Sequence, residues 1–326
     1  MLTFTYSQLS AESVASLIMA RYALPQPIQC KFYVLGLHDN YLIDSGEDRY
    51  IFRVYRNSWR TQEQIDFELE LLAFLTDRTS RVASLLRAKT GELKIQIDCP
   101  EGPRAGALFA YAEGTAPGNT ISDEESVLLG QTVAAVHQIA QSFNTVPKRP
   151  VLDLGYLLDA SLAVIDSYLD GDARAYLQAL QRELHRALPT LPQEPGIFGI
   201  CIGDVNPSNF HIGEDKRITL FDFDQCGYGY RAFEIGKFIS SISSLESKAK
   251  IAKAFVDGYQ QVRRLDPEEI RAIPYFEIVS IIWVMAIHAA NIDRIGAKYL
   301  ESPFWLRRIA LLKALAESCN LDINTD

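Results

Sequence analysis

Two short segments hold the residues whose types and spacing could do chemistry. Asp204 and Asn209 share the stretch Gly203-Asp204-Val205-Asn206-Pro207-Ser208-Asn209, and Asp222 lies a little further on in Leu220-Phe221-Asp222-Phe223-Asp224. Phosphoryl transfer from a nucleotide needs one carboxylate to receive the acceptor hydroxyl's proton. It also needs oxygen ligands that hold Mg²⁺ against the phosphates. An Asp, an Asn and a second Asp on two loop segments joined by a short hairpin can supply all of these. The apolar run Ile197-Phe198-Gly199-Ile200-Cys201-Ile202 delivers Asp204 from a buried element onto a loop, and Pro207 stops a helix from starting there. Taken alone, the Asp–Asn spacing also fits an Asx-turn. Asp222 adds weight, because alternation over residues 217–224 puts Ile218, Leu220, Asp222 and Asp224 on one face. A carboxylate closing an apolar face is costly to bury unless a metal or another charge compensates it. Asp224 reads as that strand reaching solvent.

The elements that must position these groups change character along the chain. Residues 10–22 form an amphipathic helix with Val14, Leu17 and Ile18 on one face. Strands follow at 32–35, 41–44 and 49–55, the last two joined by the turn Ser45-Gly46-Glu47-Asp48. Thr61 and Gln64 make a capping box that opens a helix with the apolar face Ile65, Leu69 and Leu72. Glu68 sits on the margin of that face, while Glu63 and Glu70 point away. Further strands are predicted at 93–97 and 107–111. Beyond Gly114, helices dominate: 123–143, 156–169, 173–188, 234–259, 277–292 and 303–319. A small sheet-rich part thus precedes a larger helical one, with a boundary near residues 108–116 and a ligand cleft expected between them.

Composition narrows the partners. Lys and Arg total 32 against 41 for Asp and Glu, a net charge of −9, which argues against nucleic acid or an anionic membrane. Cys30, Cys99, Cys201, Cys226 and Cys319 are scattered without metal-type spacing, as expected for reduced thiols in the cytoplasm. The first residues carry neither a basic region nor a cleavable apolar core, so no secretory signal is expected. The most apolar stretch, 278–290, reads as too short to span a bilayer.

With these residues in view, the chain resembles the aminoglycoside phosphotransferase/choline kinase superfamily over nearly its whole length. Gly203-Asp204…Asn209 with Asp222-Phe223-Asp224 looks like that family's catalytic and metal-binding motifs, and Cys226 to Glu234 looks like the segment that follows them. The resemblance implies an α+β, bilobal protein-kinase-like fold with a small antiparallel-sheet N-lobe and a larger, mostly helical C-lobe. Residues 1–112 would be the nucleotide-binding lobe and 113–326 the catalytic and acceptor-binding lobe. It further implies ATP and Mg²⁺ as cofactors, with Asp204 as catalytic Asp and Asn209 and Asp222 as metal ligands. Arg53 would contact the α- and β-phosphates with Glu68 as its helix partner. The backbone of Ala110 and Ala112 would pair with adenine in a hinge, and Gly36 would belong to a phosphate-covering loop over residues 36–40.

The residues themselves support the Arg53 assignment. Arg53 shares a strand face with Ile51 and Tyr55, and Glu68 borders an apolar helix face, so each needs a partner. A purely structural salt bridge would meet the same need. Ile202, where the family commonly has His before Gly-Asp, and Arg53 in place of Lys keep open a catalytically degenerate nucleotide-binding regulator. A protein Ser/Thr kinase is the other alternative to a small-molecule kinase. Gly227-Tyr228-Gly229-Tyr230-Arg231-Ala232 matches the surface form of a dinucleotide-binding turn, with Glu246 about 20 residues from its start. Glu246 falls in a helix-like segment rather than at a strand end, which argues against that reading. Gly236-Lys237 lacks the rest of a Walker A loop. Glu277, Ser280, His288 and Asn291 form a polar stripe read as a solvent face, with acceptor binding as its alternative. His137 reads as a packed structural histidine.

Overall fold

The computed structural model describes residues 4–188 and 191–323. The Ser10 side chain accepts the Ser13 N–H and so starts α1 (Ala11–Arg21). β1 (Ile28–Leu35), β2 (Asp39–Ser45) and β3 (Asp48–Val54) then form a meander, followed by α2 (Gln62–Thr76), β4 (Leu85–Leu86), β5 (Ile95–Ile97) and β6 (Arg104–Ala110). Helices α3 (Asp123–Ile139), α4 (Ala160–Ile165) and α5 (Gly171–Ala187) come next. Short strands β7 (Phe198–Cys201), β8 (Phe210–Ile212), β9 (Ile218–Leu220) and β10 (Gly227–Tyr230) lead into α6 (Arg231–Ser241), α7 (Lys248–Val262), α8 (Pro267–Ala290), α9 (Ile292–Ile295) and α10 (Ser302–Ser318).

Two compact units result. One runs from the N-terminal residues to Thr115 and adds Phe143–Arg149 and Phe210–Phe221; the other comprises Ala116–Ser142, Pro150–Asn209 and the chain from Asp222 onward. The first unit is built on an antiparallel sheet in the order β1-β2-β3-β6-β4, with β5 also paired to β6. Tyr41, Ile43, Phe52, Val54 and Leu108 pack beneath Val14 and Ile18 of α1 and Tyr22 at its C-terminal end. With Phe52 and Val54 in that core, the two-residue period of β3 turns Arg53 to the opposite face. The predicted capping box is present, with Thr61 and Gln64 bonded reciprocally. Unforeseen in the sequence is Arg104, whose fully buried guanidinium donates to Tyr55 O (2.9 Å), Ser7 O (2.8 Å) and Asp39 Oδ2 (2.9 Å). A buried charge satisfied on every side fixes geometry more than it adds stability. The β8–β9 hairpin also belongs here: Leu220 N–H donates to Arg81 O, and Ala83 N–H donates to Leu220 O, each at 2.8 Å.

In the second unit, α3 and α7 approach closely where Gly130 faces Gly258. A Cβ at Gly130 would lie 2.1 Å from Phe255 O, and one at Gly258 would lie 2.1 Å from Val127 O. The predicted helix over 234–259 is instead two, α6 and α7, broken at 242–247. Ser243, Ser244 and Ser247 cluster there, and serine competes with helical backbone hydrogen bonds. Glu246 lies in this break, and β10 pairs antiparallel with β7, so the dinucleotide-binding reading fails. The 156–169 helix is likewise divided, into a wide turn at Gly155–Asp159, α4, and a tight turn at Asp166–Tyr168.

The solvent-face reading of the α8 stripe is also wrong. Glu277, Ser280 and Asn291 are buried, because α8 packs against both α6 and α4. Glu277 is met by Lys248 Nζ at 2.6 Å, and Ser280 Oγ and Asn291 Nδ2 donate to helix carbonyls at 2.8 and 2.7 Å. At 24 residues, α8 is longer than the stretch judged too short for a bilayer. Its length and composition would permit a crossing, but 67% of its apolar window is buried. Core packing accounts for that apolarity.

The α3–α7 contact yields the first test. Gly258→Ala should cost about 1–3 kcal/mol through overpacking against Val127, measured by urea unfolding.

Candidate active site

β7 buries Ile200 and Cys201 and hands the chain to Ile202-Gly203-Asp204. Gly203 has φ +86, and a Cβ there would sit 2.1 Å from Gln225 O, so only glycine fits. The loop is gripped from α6. Glu234, in the first turn of that helix, has no exposure and accepts the N–H groups of both Ile202 and Gly203, the latter at 3.0 Å. His137 Nε2 lies 3.3 Å from Glu234 Oε2, and His137 Nδ1 lies 2.9 Å from Tyr259 Oη. Burial holds His137 well below its ordinary pKa, with Arg231 and Arg263 acting in the same direction. A neutral ring that donates through Nε2 and accepts from the Tyr259 hydroxyl gives every group a partner. Burial pushes Glu234 up to about 7, against the opposing pull of the Ile202 and Gly203 N–H bonds. His137 is thus packed, as the sequence reading had it, but packed against the carboxylate that orients the loop.

Asp204 emerges with both carboxylate oxygens engaged. Lys237 Nζ approaches Oδ1 at 2.6 Å, and Asn209 Nδ2 donates to Oδ2 at 2.9 Å. The Asp204 side chain is 30% exposed, whereas that of Lys237 is 5% exposed, so the carboxylate opens outward from a buried ammonium. Between Asp204 and Asn209, Asn206 forms an Asx-turn, its Oδ1 accepting the Ser208 N–H at 2.9 Å. Lys237 escaped the sequence reading, which weighed it only as a Walker A fragment. Its signal was a lysine inside the apolar helical run Ile235 to Ile239, three residues after Glu234 and hence on the same helix face.

β9 stops at Leu220, so the alternation expected through residue 224 does not continue. Asp222 adopts φ +61, a left-handed conformation that costs a non-glycine residue roughly 1–2 kcal/mol. Asp224 does not reach solvent either; it is buried, with Gln225 Nε2 donating to it at 3.3 Å. Among the described residues no group of three or more His, Cys, Asp or Glu side chains could hold a metal. Asn209 spends its Nδ2 on Asp204, which leaves its Oδ1 as the remaining donor atom. One carboxylate and one carboxamide oxygen suit a hard divalent cation that keeps water and phosphate oxygens as its other ligands.

The first unit carries the remaining sequence-predicted residues. Arg53 Nη1 meets Glu68 Oε1 at 3.3 Å, and Arg53 Nε donates to Asn40 Oδ1 at the same distance. Glu68 is fully buried rather than marginal, and Arg149 Nη2 meets its second oxygen at 3.2 Å. Arg149 was missed because its loop carries no periodic signal. In the segment expected to be a hinge, the Ala110 N–H donates to Ser84 O at 2.8 Å and Ala112 O faces His211 Nδ1 at 2.5 Å. At these two residues the Ala110 C=O and the Ala112 N–H are not used in those bonds. Gly36 donates to His38 O at 3.1 Å in a tight turn, and Asp39 and Asn40 lie in β2 rather than in the expected loop.

Residues 34–273 match the phosphotransferase enzyme family, and the chain belongs to that family; it is a phosphotransferase of the kinase class. An uncharacterized protein of Synechocystis is 35% identical over 96% of this chain and 87% of its own length. The structure of a microcompartment-associated aminopropanol kinase aligns with a TM-score of 0.79 at 22% identity, covering 96% of this chain and 100% of the other. That of amicoumacin kinase hAmiN, in complex with AMP-PNP, Ca²⁺ and Ami, aligns at 0.78 and 20% identity over 96% and 94%. These likenesses establish a mixed fold of the kinase-like phosphotransferase type, as the sequence predicts.

Glu234 sets a pH dependence. A carboxyl whose folded pKa is raised stabilises the fold fully below its unfolded value and loses that contribution as pH rises through about 7. His137 works the other way, removing stability only as pH falls below about 6.5. Between about pH 6.5 and 8 the melting temperature should therefore fall, and Glu234→Gln should flatten that fall. An equal slope in both proteins would contradict the assignment.

Proposed function

We propose that this protein transfers the γ-phosphoryl group of ATP, with Mg²⁺, to a hydroxyl of a small molecule in the cytoplasm. The observation that carries the proposal is the Asp204 carboxylate, partly open to solvent and held between Lys237 and Asn209 on a loop that Glu234 anchors.

Asp204 would orient the acceptor hydroxyl and take its proton. Asn209 and Asp222 would hold Mg²⁺, which when bound offsets phosphate charge. Lys237 would keep Asp204 in one rotamer and add positive charge beside the transferring group. In the first unit, Glu68 holds both Arg53 and Arg149, and the guanidinium of Arg53 so positioned would contact phosphate oxygens. The Ala110 C=O and Ala112 N–H have the polarity to pair with the edge of adenine, and Gly36 would let backbone approach the phosphates. On this reading residues 1–112 bind nucleotide and 113–326 supply the catalytic and acceptor groups. Ile202, the departure behind the regulator alternative, contributes its backbone N–H to Glu234 and buries its side chain, so the loop is held without a histidine there.

Incubation with Mg-ATP and a panel of small alcohols and Ser/Thr peptides, read by mass spectrometry, tests the proposal. A phosphorylated small molecule is the expected outcome. Phosphopeptide alone would favour a protein kinase, and thermal stabilisation by Mg-ATP with no product would favour a regulator. Lys237→Met should lower kcat about tenfold or more and leave Mg-ATP affinity within about twofold, with Lys237→Arg partly restoring turnover.

A further inference from the structure

The second unit holds a cation that no acid among the described residues neutralises. Arg308, on α10, is half-buried, and among the described residues it makes no hydrogen bond or ion pair. Its guanidinium carbon sits 5.6 Å from the centroid of Phe304. The same ring faces His288 of α8 at 5.6 Å, and Tyr299 closes the group, 5.3 Å from His288 and 5.6 Å from Phe304. His288 Nδ1 is buried without a hydrogen-bond partner. His288 Nδ1 thus lacks the partner that its burial demands, and Arg308 beside it has no acid to balance its charge among the described residues.

The cluster lies within electrostatic reach of the proposed base. Burial pushes His288 down to about 4, the Arg308 charge pushes the same way, and Asp204 pulls it up. The imidazole is therefore neutral near neutral pH, while Arg308 keeps its charge. A cationic acceptor such as an amino alcohol would meet like charge at Phe304, whose face Arg308 already covers. An anionic group would relieve the unpaired guanidinium and could bond to it bidentately.

We propose that the acceptor is a small alcohol bearing an anionic group, a carboxylate or a phosphate, bound by Arg308 with His288 as a hydrogen-bonding neighbour while its hydroxyl faces Asp204. This rests on the phosphotransfer reading above. In the reaction, the acceptor oxygen bonds to the γ-phosphorus as the bond from that phosphorus to the bridging oxygen breaks. The electron pair leaves with ADP, and the hydroxyl proton passes to Asp204.

The test uses acceptors matched except for charge: glycerate and lactate, each beside its amide, and glycerol phosphate beside glycerol. Turnover with Mg-ATP and binding, followed by tryptophan fluorescence, are measured on wild type, Arg308→Met and Arg308→Lys. At least one anionic member should exceed its neutral partner by about tenfold in kcat/KM, with the carboxylate and phosphate arms showing which anion is preferred. Arg308→Met should bring that ratio to within about threefold, and Mg-ATP KM should stay within about twofold. If Arg308→Met does not fold, Arg308→Lys should still reduce the ratio, because lysine loses the bidentate geometry. Equal use of charged and neutral partners, a preference that survives in the folded variants, or no binding of any anionic member would overturn the proposal. Binding of an anionic member that Arg308→Met abolishes, without turnover, would uphold the anion site and overturn the phosphotransfer reading instead.

Discussion

The carboxylate of Glu234 sets the direction in which the chain leaves β7. It is wholly buried, and it collects the N–H groups of Ile202 and Gly203, the two residues that precede Asp204. Backbone donors at a strand end that turns sharply have no ladder partner, so something must satisfy them. Glu234 does so from a helix whose next turn carries Lys237, and Lys237 reaches Asp204 itself. One helical turn thus determines both the course of the loop and the orientation of its carboxylate. The arrangement depends in turn on His137 and Tyr259, which α3 and α7 bring together where Gly130 and Gly258 let the helices approach.

Charge is distributed to match phosphate chemistry. Each unit pairs acid with base and keeps a cationic group near the atoms that would meet ligand. In the first, the carboxylate of Glu68 is shared by Arg53 and Arg149. In the second, the ammonium of Lys237 is more deeply buried than the carboxylate it serves. Buried pairs of this kind contribute little net stability, because desolvation offsets their attraction. Their value lies in fixing charged groups before a ligand arrives, which is where electrostatic preorganisation acts.

Much of this was legible in the sequence. The capping box at Thr61, the hairpin turn at Gly46 and the apolar run before Asp204 are local signals, and local signals identify local structure. Arg53 and Glu68 could be matched because strand and helix periodicity each demanded a partner. What was illegible depends on tertiary contact. Lys237 looked like a fragment of an absent motif, Arg149 sat in a loop without a pattern, and the polar stripe of α8 resembled a solvent face until two helices covered it. The alternation read through Asp224 failed because β9 ends at Leu220 and Asp222 turns left-handed, a backbone event that side-chain periodicity cannot reveal.

The most direct test of the account is the rate of phosphoryl transfer by Asp204→Asn, once a phosphorylated acceptor has been identified. The asparagine keeps the size of the side chain, and one of its atoms can still accept a hydrogen bond, but it cannot take the acceptor's proton. The expected result is a fall in kcat of about a hundredfold or more, with Mg-ATP still bound and the fold intact by circular dichroism. Transfer at the wild-type rate would contradict the assignment of Asp204 and, with it, the role given to the loop that Glu234 holds.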